Sequence, residues 1–161
     1  MARTLGYKRL HRLDIQGFER IDEGRLTEVA PWLRLAFGLC AALAALGTAL
    51  ASPKVLLVLT AVAFTAALSP VHPFDLIYNH GIRRATGTRP LPKRGVPSRF
   101  ACGLGSVWLI FTAWAFFGGL TPLGYASGAV LTSVALLVAT ADICIPSMIF
   151  RALFGGPAPR R

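Results

Sequence analysis

The sequence predicts an all-α integral membrane bundle of four transmembrane helices, arranged as two hairpins, with an interfacial helix in the central cytoplasmic loop. Three observations lead there. The composition is 54% hydrophobic with a mean hydropathy of +0.57, above the apolar share of an ordinary soluble domain. Only 15% of residues are charged, and they gather before residue 35, between Arg83 and Arg99, and at the extreme C-terminus. Long stretches between these clusters hold no charge, whereas a soluble helix carries charge along its outer face. A chain of 161 residues is one domain's worth of material. It divides into a cytoplasmic N-terminal segment, 1–30, and a transmembrane domain, 31–161.

Residues 1–30 mix Arg3, Lys8, Arg9, Arg12, Arg20 and Arg25 with Asp14, Glu19, Asp22, Glu23 and Glu28. Leu5, Leu10, Leu13, Phe18, Ile21 and Leu26 recur irregularly among them, as in short interfacial helices. A cleavable signal peptide is not expected, because the region before the first apolar run is too long and too acidic, despite Ala49-x-Ala51 near that run's end. The first span is predicted over 32–51. Pro31 suits a helix's first turn and Trp32 the headgroup level. Ser52-Pro53-Lys54 turns the chain into the second span, 55–69. Val55 to Leu68 supplies only about 21 Å of helix. Against a hydrocarbon core of ~30 Å, this span has to tilt, thin the bilayer or continue past Pro70.

In the central loop Pro73 starts a short interfacial helix, Phe74-Asp75-Leu76-Ile77-Tyr78 gives it an apolar side, and Gly87 stops it. Pro90, Pro92 and Pro97 then favour extended chain along the membrane surface. The third span covers 100–117 and holds Trp108 and Trp114. Gly118-Gly119-Leu120-Thr121-Pro122 turns the chain back. The fourth span covers 123–141, with Val130, Val134 and Val138 at helical spacing and Asp142 at its polar end.

Orientation follows from counting charge. Four spans place the N-terminal segment, the central loop and the C-terminus on one side, with sixteen of the seventeen Lys and Arg residues. Lys54 is alone on the other. Basic residues collect on the cytoplasmic side, so both termini are expected in the cytoplasm of a cell whose inner membrane holds the protein. The same distribution accounts for the net charge of +10. No nucleic-acid-binding module is visible, and juxtamembrane Arg83, Arg84, Arg89, Lys93, Arg94 and Arg99 are read as contacts to anionic headgroups or to a partner subunit.

The densest polar cluster is His72, Asp75 and His80, with Tyr78 and Asn79 between them. Its spacing matches no zinc signature. The simpler reading has Asp75 capping the interfacial helix and His72 at the headgroups. Cys40 reads as a small core hydrophobe. Cys102 and Cys144 lie near the cytoplasmic ends of the third and fourth spans, at similar depth when counted from the turn near Leu120, and a cytosol-facing pair stays reduced. No ionisable residue lies in the middle of a span, which argues against a proton relay or charged-substrate pathway. Gly124 and Gly128 make a small-residue face suited to close helix packing. No cofactor is expected.

His72-Pro73-Phe74-Asp75, then Arg99-Phe100-Ala101-Cys102-Gly103, then Asp142-Ile143-Cys144-Ile145-Pro146-Ser147 together resemble a family of small bacterial membrane proteins known only as a domain of unknown function. The resemblance covers about residues 30–155, with Arg-Phe-Ala as its most specific part. Many relatives carry Cys-x-x-Cys where this chain has Cys144-Ile145-Pro146-Ser147, and some are linked to sulfur-transfer or thioredoxin-like domains. The resemblance thus implies thiol chemistry, while Ser147 excludes an intact dithiol at that motif.

The leading expectation is a non-catalytic accessory or stabilising subunit of a larger bacterial membrane complex, with a photosynthetic or respiratory assembly as its home and other integral membrane subunits and anionic lipid as its partners. The alternative is a thiol-active or sulfur-handling membrane protein using Cys144 with Cys102. A second alternative is a lipid-modifying enzyme built around His72, Asp75 and His80.

Overall fold

The computed structural model describes residues 5–156, and among them every regular element is helical. Helix α1, Tyr7–Leu13, runs into a π-helical turn, Asp14–Phe18, broken at Gly17. Helix α2 spans Glu23–Ala49, capped by the Asp22 carboxylate, which accepts from the Arg25 backbone N–H at 3.2 Å. The first long helix therefore begins well before Trp32, and Pro31 lies inside it. The reason is a second apolar stripe: Leu26, Val29, Ala30 and Leu33 fall at i, i+3, i+4 and i+7, and all four are buried.

Helix α3, Pro53–Leu68, starts on Pro53 and ends at Ser69. Its 16 residues give about 24 Å of helix. The chain then bends by 87° into a helical segment over Pro73–Thr86. This comprises α4, Pro73–Ile77, a π-helical turn, Tyr78–Ile82, and α5, Arg83–Thr86. Gly87 stops it in the left-handed conformation at φ +66°, which glycine adopts without a Cβ penalty. Helices α6, Val96–Phe117, and α7, Thr121–Ala141, form the second hairpin. A ten-residue α8, Ile145–Phe154, follows a sharp break at Asp142.

Helices α2, α6 and α7 are each long and apolar enough to cross a membrane. Helix α3 with the Pro73–Thr86 segment makes a fourth if the bent pair is one crossing. The four pack in a closed ring: α2 on α3 and α7, α6 on α3 and α7, with the α3–α6 and α2–α7 seams the most extensive. Leu56, Leu59, Leu109 and Ala113 fill the centre.

Close approach depends on missing side chains. A Cβ at Gly128 would overlap Thr48 of α2, and one at Gly124 would meet the Phe116 ring at 2.6 Å. Gly124 and Gly128 are therefore points of close packing inside the bundle. In lipid, helices associate through such packing rather than through apolar burial.

The N-terminal segment does not hang free of the bundle. Leu10, Leu13 and Phe18 bury against Leu26, Val29, Leu33, Tyr78 and Leu91 in a separate core at the basic end, with Trp32 and Tyr78 rings 5.1 Å apart. Gly17, at φ +100°, lies against Gly95, where a Cβ would come within 2.7 Å of backbone.

Candidate functional site: a thiol-lined cavity

Four elements bring their ends together at the basic end of the ring. Asp75, from the first turn of α4, and Arg94, just before α6, form a two-pronged ion pair: Nε and Nη2 of Arg94 each donate to a carboxylate oxygen at 2.8 Å. Both side chains are buried. Burial opposes the Arg94 charge, and the bonds to Asp75 outweigh it, so the guanidinium stays ionised. Its backbone N–H is held by the Pro70 carbonyl at 2.8 Å, and its guanidinium carbon sits 4.8 Å from the centre of the Phe37 ring. Arg94 is therefore no surface contact, and the expected place among lipid-facing cations is corrected: its partner lies nineteen residues back.

His72 also departs from expectation. It is buried rather than at the headgroups. The imidazole, not the Asp75 carboxylate, caps α4: Nδ1 accepts from the Phe74 N–H at 3.2 Å. Because Nδ1 holds a lone pair for that bond, the proton of the neutral ring is on Nε2. Nε2 lies 3.9 Å from Cys40 Sγ. Burial lowers the His72 pKa to about 4, the Arg94 charge adds to that, and Asp75 opposes it. His80 is exposed and bonds the Leu76 carbonyl at 3.1 Å. The three residues of the polar cluster therefore do not converge: His72 and Asp75 share a neighbourhood, and His80 faces away.

Beside this pair lies a cavity of about 180 Å³. All three cysteines line it, together with His72 and apolar walls from Phe37, Leu59, Trp108 and Val138. All are free thiols. Cys40 comes from α2, Cys102 from the first turns of α6, and Cys144 from the link between α7 and α8. Cys102 is the middle member, within electrostatic reach of both others. Burial raises the Cys144 pKa, while bonds to Ser147 and the Arg94 charge pull it back. The Ser147 hydroxyl is 3.0 Å from Cys144 Sγ and 3.1 Å from the Pro97 carbonyl. Among the described residues no group of three or more His, Cys, Asp and Glu is placed to hold a metal ion.

The remaining basic residues divide by partner. Arg99 donates to the Ala67 carbonyl at 3.0 Å and the Leu68 carbonyl at 2.6 Å, tying the end of α3 to α6. Arg89 pairs with Glu28 at 3.4 Å on the surface. Arg83, Arg84 and Lys93 are exposed.

Asp142, at the left-handed end of α7, holds the N-terminal segment: it accepts from Arg9 Nε at 2.8 Å and Arg34 Nε at 2.9 Å. The Ala141 carbonyl accepts from Arg12 at 2.8 Å.

Sequence reasoning placed Cys102 and Cys144 at one depth but left Cys40 in the core. Its helix is apolar nearly all round, so nothing in the pattern tells which side of α2 turns inward.

These features define a multi-pass helical membrane protein with a thiol-lined cavity at one end of its bundle. The chain belongs to the family described as Domain of unknown function (DUF4395), which matches residues 30–154. No curated protein and no solved structure shows significant similarity to it.

Proposed function

We propose that the chain is a thiol-active membrane protein whose chemistry takes place at Cys102 and Cys144, with Cys40 beside them. The observation that carries this reading is the meeting of all three cysteines of the chain, from three separate segments, on one apolar cavity. Packing an Ala- and Leu-rich bundle does not require its cysteines to share a wall. The test is differential alkylation with mass spectrometry in native membranes held under reductant or under oxidant. Two of the three thiols are expected to become reversibly protected from alkylation under oxidant. Three thiols that stay equally alkylatable in both conditions overturn the reading.

The membrane frame proposed with it has four spans, α2, α3, α6 and α7, with Pro73–Thr86 in the interface, both termini cytoplasmic and the bacterial inner membrane as the location. The sixteen-to-one division of Lys and Arg around these spans supports it. A single cysteine introduced at Arg89 is expected to label only after permeabilisation. Labelling from outside intact cells reverses the orientation.

A second reading, a non-catalytic stabilising subunit, is favoured by the exposed basic rim of Arg83, Arg84 and Lys93, which suits an acidic partner surface. It predicts co-migration with a larger assembly on native gels, weakened by salt. A protein that runs alone at every detergent strength rejects it.

A further inference from the structure

We infer that the cavity is entered from the bilayer rather than from water, and that its occupant is the uncharged ring of a membrane-dissolved quinone-class oxidant. This rests on the thiol-active reading and names the substrate class of the same site. The lining contains no Lys, Arg, Asp or Glu, so a charged ligand would lose its hydration without gaining a partner. Leu104 of α6 and Ile145 and Ile149 of α8 belong both to the lining and to the exposed surface, at 38%, 40% and 43%. The rim they make is apolar. Helix α8 continues it with exposed Met148, Leu153 and Phe154, while its one cation, Arg151, donates inward to the Ile15 carbonyl at 2.9 Å. Such a surface faces acyl chains.

The opposite wall is closed. His72 lines it there and is buried, and the Asp142 clasp with Arg9 and Arg34 holds the N-terminal segment against α2 and the end of α7. The volume of about 180 Å³ accepts a single substituted ring and is too small for a phospholipid. One donor is ready for a ring carbonyl oxygen: the Nε2–H of His72, whose present neighbour is a sulfur at 3.9 Å, a weak acceptor.

The thiols supply the electrons. Cys144 occupies the N-cap position of the ten-residue α8 and receives the Ser147 hydroxyl, and both features work against the burial that raises its pKa. In the reaction Cys102 and Cys144 lose their two S–H bonds and form one S–S bond. The two electrons and two protons released pass to the two carbonyl oxygens of the quinone, leaving a hydroquinone.

The experiment uses the full chain, reduced, in liposomes carrying a short-tailed benzoquinone. Hydroquinone is followed by absorbance and thiols by alkylation and mass spectrometry. One hydroquinone is expected per protein, with Cys102 and Cys144 lost to alkylation and Cys40 retained. Cys102→Ser and Cys144→Ser are each expected to abolish it. Gly105 lines the cavity and a Cβ there meets nothing within 4 Å. Gly105→Leu is therefore expected to fold normally and slow the reaction by about tenfold through a narrowed entrance. A sulfonated, water-soluble benzoquinone is expected to react more slowly by a similar factor. Equal rates with both quinones overturn entry from the bilayer. Absence of hydroquinone, from a protein whose thiols do cycle in native membranes, overturns the quinone class and leaves the thiol reading standing. Thiols inert in both experiments remove both.

Discussion

The bundle and the cap at its basic end are held together by different physics. Inside the bundle most side-chain hydroxyls bond their own helix, as where Thr112 Oγ1 donates to the Trp108 carbonyl at 2.9 Å. Ser127 joins α7 to α6 by accepting from Trp108 Nε1 at 2.9 Å, and adhesion comes from side chains seated on bare backbone at Gly47, Gly124 and Gly128. At the cap, carboxylates gather cations from distant segments: Asp75 takes Arg94, Asp142 takes Arg9 and Arg34, and Glu19 takes Arg151. Specificity therefore has two sources. Shape decides which helices touch in the bundle, whereas ion pairs decide how the connecting segments close over its end. The cavity lies at the seam, with its walls from the bundle and its roof from the cap.

The largest effect is expected from Asp75→Ala, which strands a fully buried guanidinium. Removing one partner of such a pair costs about 3–5 kcal/mol, and thermal unfolding in detergent measures it. Asp75→Leu combined with Arg94→Leu is expected to recover much of the loss. If the single variant is as stable as the parent, the cap is not organised by this pair.

The next effect is a pH dependence. His72 is neutral in the fold, with its pKa lowered to about 4, against ~6.5 for a free imidazole. As pH falls below that value the unfolded chain takes up a proton that the folded chain refuses. Stability is therefore full above about pH 6.5 and declines toward pH 4, by on the order of 3 kcal/mol. Arg94, Asp75 and Cys40 are the groups facing the ring. Unfolding midpoints across that range should flatten in His72→Phe, and an unchanged slope assigns the titration to another group.

Gly128→Leu tests the bundle side. The new side chain has to displace Thr48, and overpacking of this kind costs about 1–3 kcal/mol. The expected result is a lower unfolding midpoint of the isolated protein, with insertion retained. Normal stability of the purified variant, with loss only of association to another subunit, would assign this face to docking instead.

Asp142→Asn is expected to be milder, about 1 kcal/mol, because Arg9 and Arg34 remain 29% and 31% exposed and water screens the pairs. Faster proteolysis near residue 20 would show the N-terminal segment loosening, and high salt is expected to loosen the parent in the same way while adding little in the variant. Smallest of all is Arg89→Ala, a surface pair with Glu28, for which no change beyond about 0.5 kcal/mol is expected.

Much of the fold was legible in the chain. The stop at Gly87 falls where glycine placed it, and the two hairpin turns lie beside their expected Pro and Gly, each ending two residues earlier because Pro53-Lys54 and Thr121-Pro122 begin α3 and α7. The start of α2 was misplaced, because Pro31 resembled a beginning and the stripe from Leu26 to Leu33 was hidden among charges. Of the site, Cys102 and Cys144 were visible from depth alone. Cys40 and Arg94 were not.

The apolar segments, their lengths and the gathering of positive charge could be read along the chain, because each is a local property of composition. Which face of each helix turns inward, and therefore that Cys40 joins the other thiols, came from the packing of the folded chain. A helix apolar all round carries no periodic signal of its rotation. Tertiary structure alone likewise separated Arg94 from Lys93, its exposed neighbour. Two adjacent cations are equivalent until the chain folds back and sets a carboxylate beside one of them, and burial then turns that contact from a minor surface attraction into a requirement.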